Sequence, residues 1–123
     1  MAERHLSFLW FDEFADDWTD LNLSLETDLW DLELDIMENP KAGKVVSGAC
    51  GLRKLRFAPA GWHKGKSGSV RVGYAYLESL GYVLMAMAYG KSRKETMTAA
   101  DKQAVCTAIT RIERSLAQRK QPR

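Results

Sequence analysis

Lysines and arginines in this chain fall where they can act together. Lys54 and Arg56 alternate with Leu55 and Phe57 in the run Leu52-Arg53-Lys54-Leu55-Arg56-Phe57, and Arg71 alternates with Val70 and Val72 in a second run. Residues two apart on a strand share a face. The apolar members of both runs should therefore point one way, and Lys54, Arg56 and Arg71 the other. Residues 41–94 contain eleven Lys or Arg and a single acid, Glu78. A Gly- and Ser-containing loop, 58–69, adds Trp62, His63, Lys64 and Lys66. Such a surface has the chemistry of a polyanion binder, and nucleic acid is the usual partner of a basic face. His63 is suited to proton transfer near neutral pH, although a histidine in such a loop is commonly a bystander, while His5 reads as structural or exposed. The plainer alternative is a solvated cationic face.

The net charge of +2 conceals the strongest asymmetry in the chain. Residues 1–40 hold twelve acids and one base (Arg4), a net of −11, and residues 41–123 hold seventeen bases and four acids, a net of +13. Charge divided between halves in this way suggests a partner of one sign on one surface, or two solvated faces that compensate within the fold. The 123 residues suffice for one domain, and 46% apolar with 28% charged residues excludes collagen-like, low-complexity and wholly disordered chains. No apolar run approaches the roughly 20 residues of a membrane-spanning helix. The N-terminus carries acids where a secretory signal needs a basic start. A cytoplasmic protein with no membrane partner is expected. Cys50 and Cys106 are too few and too far apart to read as a disulfide framework or a zinc site, and are expected to be small core or surface thiols.

The elements that must position these residues can be followed along the chain. Leu6 to Phe11 is short and aromatic and fits an opening strand. Over Asp12 to Asn22, Phe14, Trp18 and Leu21 recur at helical spacing, predicting a short helix. Leu25, Leu29, Leu32 and Ile36 mark a second helix capped by Ser24, with Trp30, Leu34 and Met37 widening its apolar stripe and Asp28, Asp31, Asp35 and Glu38 lining the other side. Asn39-Pro40 stops it. Leu52–Phe57, Val70–Leu77 and Tyr82–Tyr89 read as strands, the last two joined as a hairpin through Glu78-Ser79-Leu80-Gly81. Tyr74 and Tyr76 alternate with Arg71 and should be mostly core. Thr98 and Asp101 form a capping box for a final helix striped by Val105, Ile109, Ile112 and Leu116. The result is an α+β fold: strand, two helices, a three-stranded antiparallel section and a C-terminal helix. One sheet face is expected to lie under helices and the other to face water or a partner. Residues 1–123 are read as one domain, with an acidic part (1–40), a basic sheet (41–97), a helix (98–117) and a frayed tail (118–123).

Gly51-Leu52-Arg53-Lys54-Leu55-Arg56, Gly65-Lys66-Ser67-Gly68-Ser69-Val70-Arg71-Val72, Tyr89-Gly90-Lys91 and Met97-Thr98 occur in that order. In them the chain resembles the HigB-like branch of the RelE/ParE toxin superfamily, in particular the HigB-2/phage Gp49-like group. The likeness runs from about Asn39 to Thr98, and before that it extends only to layout. It implies a RelE-like microfold and the toxin of a type II toxin–antitoxin system, an endoribonuclease that cleaves mRNA on the ribosome without a metal or other cofactor. It further implies neutralisation by a helix-turn-helix antitoxin, the toxin alone being a monomer.

Metal-free RNA cleavage needs a base for the 2′-OH, a cation for the pentacoordinate phosphate and an acid for the leaving 5′-oxygen. By resemblance, the catalytic set is Lys54 and Arg56 on the flanking phosphates, Arg71 on the transition state, and Tyr89 and Lys91 at the end of the last strand. Arg53, Trp62, His63, Lys64, Lys66 and Arg93 are the expected RNA contacts. The chain departs from the family pattern at Ala75 after Tyr74, at Ser92-Arg93 after Lys91, at Thr96, and at Trp62-His63 in the loop. These departures motivate one alternative, a catalytically degenerate relative that only binds an antitoxin or nucleic acid. Another is a ParE-like topoisomerase poison.

Overall fold

The computed structural model of the chain describes residues 6–61, 69–90 and 97–120. Its elements are β1 (Ser7–Trp10), α1 (Asp12–Asp20), α2 (Asp28–Glu38), β2 (Lys44–Val45), β3 (Leu52–Phe57), β4 (Val70–Leu77), β5 (Tyr82–Gly90) and α3 (Ala99–Lys120), with a 3-10 turn over Glu78–Leu80. The sheet order is β1-β5-β4-β3-β2. β1 runs parallel to β5, and every other pairing is antiparallel. The α+β architecture agrees with the expected one. The sheet has one strand more than expected, because β2 is only two exposed residues and carries no periodic signal.

Two apolar clusters lie on opposite sides of the sheet. In the larger, Phe14 and Trp18 of α1 and Leu29, Leu32 and Ile36 of α2 pack on Phe57, Val70, Val72, Tyr74, Val83 and Met85. Trp18 is fully buried, with its ring stacked 5.4 Å from Phe14 and 6.0 Å from Phe57. Its indole N–H donates to the carbonyl of Ser24 at 2.9 Å, which ties the end of α1 to the start of α2. Ser24 Oγ accepts from the amides of Glu26 and Thr27, while its own amide donates to the Asp28 carboxylate. Ser24 therefore caps the turn over residues 25–27 and not α2 itself, whose N-cap is Thr27 with no side-chain bond, a correction to the expected cap.

The second cluster corrects the expectation of an open face. Leu52, Ala75, Leu77, Leu84 and Ala86 of the sheet are covered by Ile109 and Leu116 of α3. β4 is in consequence buried on both sides, with Tyr76 alone half-buried. Small residues at Ala75 and Ala86 conceal this second core, since they do not produce a conspicuous apolar stripe. The box that starts α3 forms as expected: the Thr98 amide donates to the Asp101 carboxylate, and the Asp101 amide to Thr98 Oγ1, each at 3.0 Å. The helix continues through Lys120, three residues past the end expected for it.

Two further expectations are overturned. Trp30 and Leu34 do not widen the buried stripe of α2, for they are 55% and 42% exposed. Cys50 and Cys106 are not separate thiols. They form a disulfide between the turn before β3 and the middle of α3, with Cα atoms 5.1 Å apart. Fifty-six residues separate them in the chain, so spacing alone gave no hint of the pairing. Among the described residues, no helix is long and apolar enough to cross a membrane.

Candidate nucleic-acid interface

Strand register decides which cations meet. Arg56 lies directly opposite Arg71, and Arg71 directly opposite Tyr89, so the three make one row across β3, β4 and β5. In the adjacent row Lys54 faces Gly73, which faces Met87. Directly opposed residues in a sheet share a face. Both rows lie on the face that α3 covers further along, at Leu52, Ala75 and Leu84. This face is thus divided between an apolar half under the helix and a cationic half beside it.

Tyr89 reaches this face through an irregularity. Gly73 pairs with Met87 and Tyr74 with Met85, which leaves Ala86 as an extra residue in β5. A bulge of this kind shifts every later side chain by one position. Met85 packs in the cluster under α1 and α2, whereas Met87, two residues on, packs on the α3 side. Tyr89 follows Met87 and so comes to lie across from Arg71. Gly73 keeps the space beneath these residues open, since a Cβ there would sit 2.9 Å from Met87 Cγ. On the outer side of β5, the Asp17 carboxylate accepts the Ala88 amide at 3.1 Å and anchors the backbone next to Tyr89. Neither Gly73 nor Asp17 was singled out from the sequence. A lone glycine inside a strand was the available signal for the first; the second needed the fold.

Burial grades the row. Arg56 is exposed, Lys54 half-buried, Arg71 8% exposed and Tyr89 6% exposed. That excludes a solvated face for Arg71. Like charges directly across a strand pair repel, and β3, β4 and β5 contain no Asp or Glu. Arginine carries a fixed charge, and a charge held in low-dielectric surroundings acts more strongly than one in water. The arrangement suits an anion that bridges the row, and a phosphodiester has the right charge and acceptor oxygens. Beyond Tyr89 a cleft opens between α3 and the start of α1, lined by the apolar Phe11, Met87 and Met97 and by the charged Asp12, Glu13, Asp17, Asp101 and Arg111. The cationic row therefore adjoins a cleft in which acids outnumber the one base, Arg111.

Arg53 stands apart from this set. It pairs with Tyr74 on the opposite face, and its Nη1 donates to the carbonyls of Lys41 and Gly43 at 3.1 and 2.8 Å. Tyr74 is fully buried; its hydroxyl donates to the Pro40 carbonyl at 2.8 Å and accepts the Gly43 amide at 3.0 Å. Burial pushes the Tyr74 phenol up, against smaller lowering effects from the Gly43 amide and the Arg53 charge. Arg53 and Tyr74 together brace the 40–43 turn. Trp62, His63, Lys64, Lys66, Lys91 and Arg93 lie outside the described residues. No three His, Cys, Asp or Glu side chains among the described residues converge as a metal site.

No protein-family profile matches the chain. Its fold is that of the E. coli toxin RelE. The isolated RelE toxin in a P21 crystal form is similar at a TM-score of 0.51 and 16% identity, covering 87% of this chain and 98% of that one. A double arginine mutant of RelE in the free state is similar at 0.51 and 13%, covering 85% and 97%.

Proposed function

We propose that this protein is a HigB-like toxin of a type II toxin–antitoxin system, an endoribonuclease that cuts translated mRNA with its own side chains. The observation that carries this reading is the Arg56–Arg71–Tyr89 row, a graded line of exposed cation, buried cation and buried phenol on strands without a carboxylate. The RelE-like fold supports it, as does the resemblance of residues 39–98 to the HigB-like group.

In this reading Lys54 and Arg56, the more accessible cations, hold the phosphates on either side of the scissile bond. Arg71 meets the charge that develops on the pentacoordinate phosphorus, where a fixed donor in a dry site is most effective. The Tyr89 hydroxyl orients the 2′-OH or the ring stacks on a base, as aromatic side chains commonly do with single-stranded RNA. Lys91, next in sequence after Gly90, is the candidate to move a proton. A ribosome that holds the mRNA in line supplies much of the remaining rate. The partners are then mRNA, the ribosome in the cytoplasm and a helix-turn-helix antitoxin.

The test is induced expression of wild type, Arg56→Ala and Arg71→Lys, with primer extension along a translated reporter. In-frame cuts that disappear in both variants, at unchanged circular dichroism, are the expected result. Growth arrest without cuts in the wild type would replace the ribonuclease with a ParE-like topoisomerase poison. Neither arrest nor cuts would mark a relative that has kept the fold and lost the activity.

A further inference from the structure

Helix α2 has two apolar stripes. One, Leu29, Leu32 and Ile36, is buried against the sheet. The other, Trp30, Leu34 and Met37, repeats at the i, i+4, i+7 spacing that places side chains in a line. Trp30 is 55% and Leu34 42% exposed, and Met37 is half-buried. A helix that needs one stripe for its own core and shows a second, centred on a tryptophan, has a surface to be covered.

The surroundings of the stripe select what covers it. Asp31, Asp35 and Glu38 run beside it on one flank and Glu33 on the other, and no α2 carboxylate forms an ion pair among the described residues. Burial, then the charges of Glu38 and Asp31, holds the Asp35 carboxyl above its usual range, which shows these acids repelling one another. Residues 6–40 contain no Lys or Arg at all. Phosphate backbones and anionic membranes are repelled by such a surface. A twofold contact with a second copy would set the same acids against each other.

We infer that the Trp30–Leu34–Met37 ridge of α2 docks a basic amphipathic helix of a protein partner, its apolar residues on the ridge and its Lys and Arg paired with Asp31, Asp35 and Glu38. Helix-on-helix recognition of this kind reads i, i+3, i+4 and i+7 anchors, and charge on the flanks sets association rate and specificity. α2 lies on the sheet face opposite the Arg56–Arg71 row, so a partner seated there leaves that row open. The inference therefore stands or falls separately from the ribonuclease reading.

The probe is a capped 14-residue helical peptide of Leu and Lys with leucines at i, i+3, i+4 and i+7, titrated into the full chain and followed by amide and indole NMR shifts. Shifts centred on Trp30, Leu34 and Met37 are expected, with affinity falling tenfold or more in Trp30→Ser/Leu34→Ser and in Asp35→Lys/Glu38→Lys. Both pairs are on the surface, and cooperative melting at or above the wild-type midpoint confirms intact folds. The same peptide with Glu for Lys should not bind. Equal affinity in the variants, shifts centred on α3 or the cleft, or displacement by an RNA oligonucleotide at the same residues would overturn the inference. So would sedimentation showing a wild-type dimer that the Trp30→Ser/Leu34→Ser pair dissolves, because the occupant would then be a second copy.

Discussion

The two faces of the sheet are built to different ends. The face under α1 and α2 is sealed by large side chains, Phe14, Trp18, Leu32, Phe57, Val72 and Tyr74, and its polar atoms are consumed by short internal bonds. The face under α3 is apolar for only part of its length and uses small residues there. It then gives way to Lys54, Arg56, Arg71 and Tyr89. One face holds the fold together, and the other carries the row of cations and the phenol. Stability and activity should therefore separate by face when residues are changed.

The sharpest break of this comparison is Trp18→Ala. Removing a fully buried indole, its two ring contacts and its bond to Ser24 should cost about 3–5 kcal/mol, read as a large fall in the urea midpoint. Next is Arg71→Ala, expected to lower cleavage about 10²–10³-fold while leaving the midpoint far less changed than Trp18→Ala does. If Arg71→Ala unfolds the protein as Trp18→Ala does, the division between faces fails. Tyr74→Phe leaves the Pro40 carbonyl and Gly43 amide without their buried partner and should cost about 1–3 kcal/mol with cleavage retained. It also changes the pH profile. The folded-state pKa of Tyr74 is raised above its ordinary 10.0, so its contribution is complete below that value and is lost as pH climbs past it toward the folded pKa. Alkaline melts of wild type should show that loss, and Tyr74→Phe should flatten it. The smallest effect is expected on α2. Burial raises the Glu33 and Asp35 carboxyls, so their ionised forms oppose folding and acidification through their pKa values relieves the strain. Glu33→Gln and Asp35→Asn should each raise the melting temperature slightly at neutral pH, with no effect on cleavage.

What the chain made legible was local. The bounds of β4, the aromatic pair on α1 and the reciprocal cap at Thr98 and Asp101 follow from spacing within a few residues, and the structure agrees. Lys54, Arg56 and Arg71 could be assigned to one face because alternation is also local. What escaped depended on distant parts of the chain. The Cys50–Cys106 bond, the seat of α3 on Ala75 and Ala86, and the diversion of Arg53 to the Lys41 and Gly43 carbonyls each require the sheet to be assembled. Trp30 was misplaced for a related reason. A helical wheel with apolar residues on two sides does not say which side the sheet takes.

The spacing of residues past the bulge in β5 ties the proposed activity to residue count as well as to composition. Ala86 and Met87 share the α3 side at the bulge, and regular alternation from Met87 onward puts Tyr89 on that side as well. Excising Ala88 would keep each functional residue, yet it would send Tyr89 toward α1 and α2 and leave Arg71 facing a different neighbour, whereas excising Ala86 would only remove the bulge and keep Tyr89 opposite Arg71. Relatives that have lost one residue between Met87 and Tyr89 would then carry the signature residues without the site, and counting positions in that strand would sort them from active ones before any residue is compared.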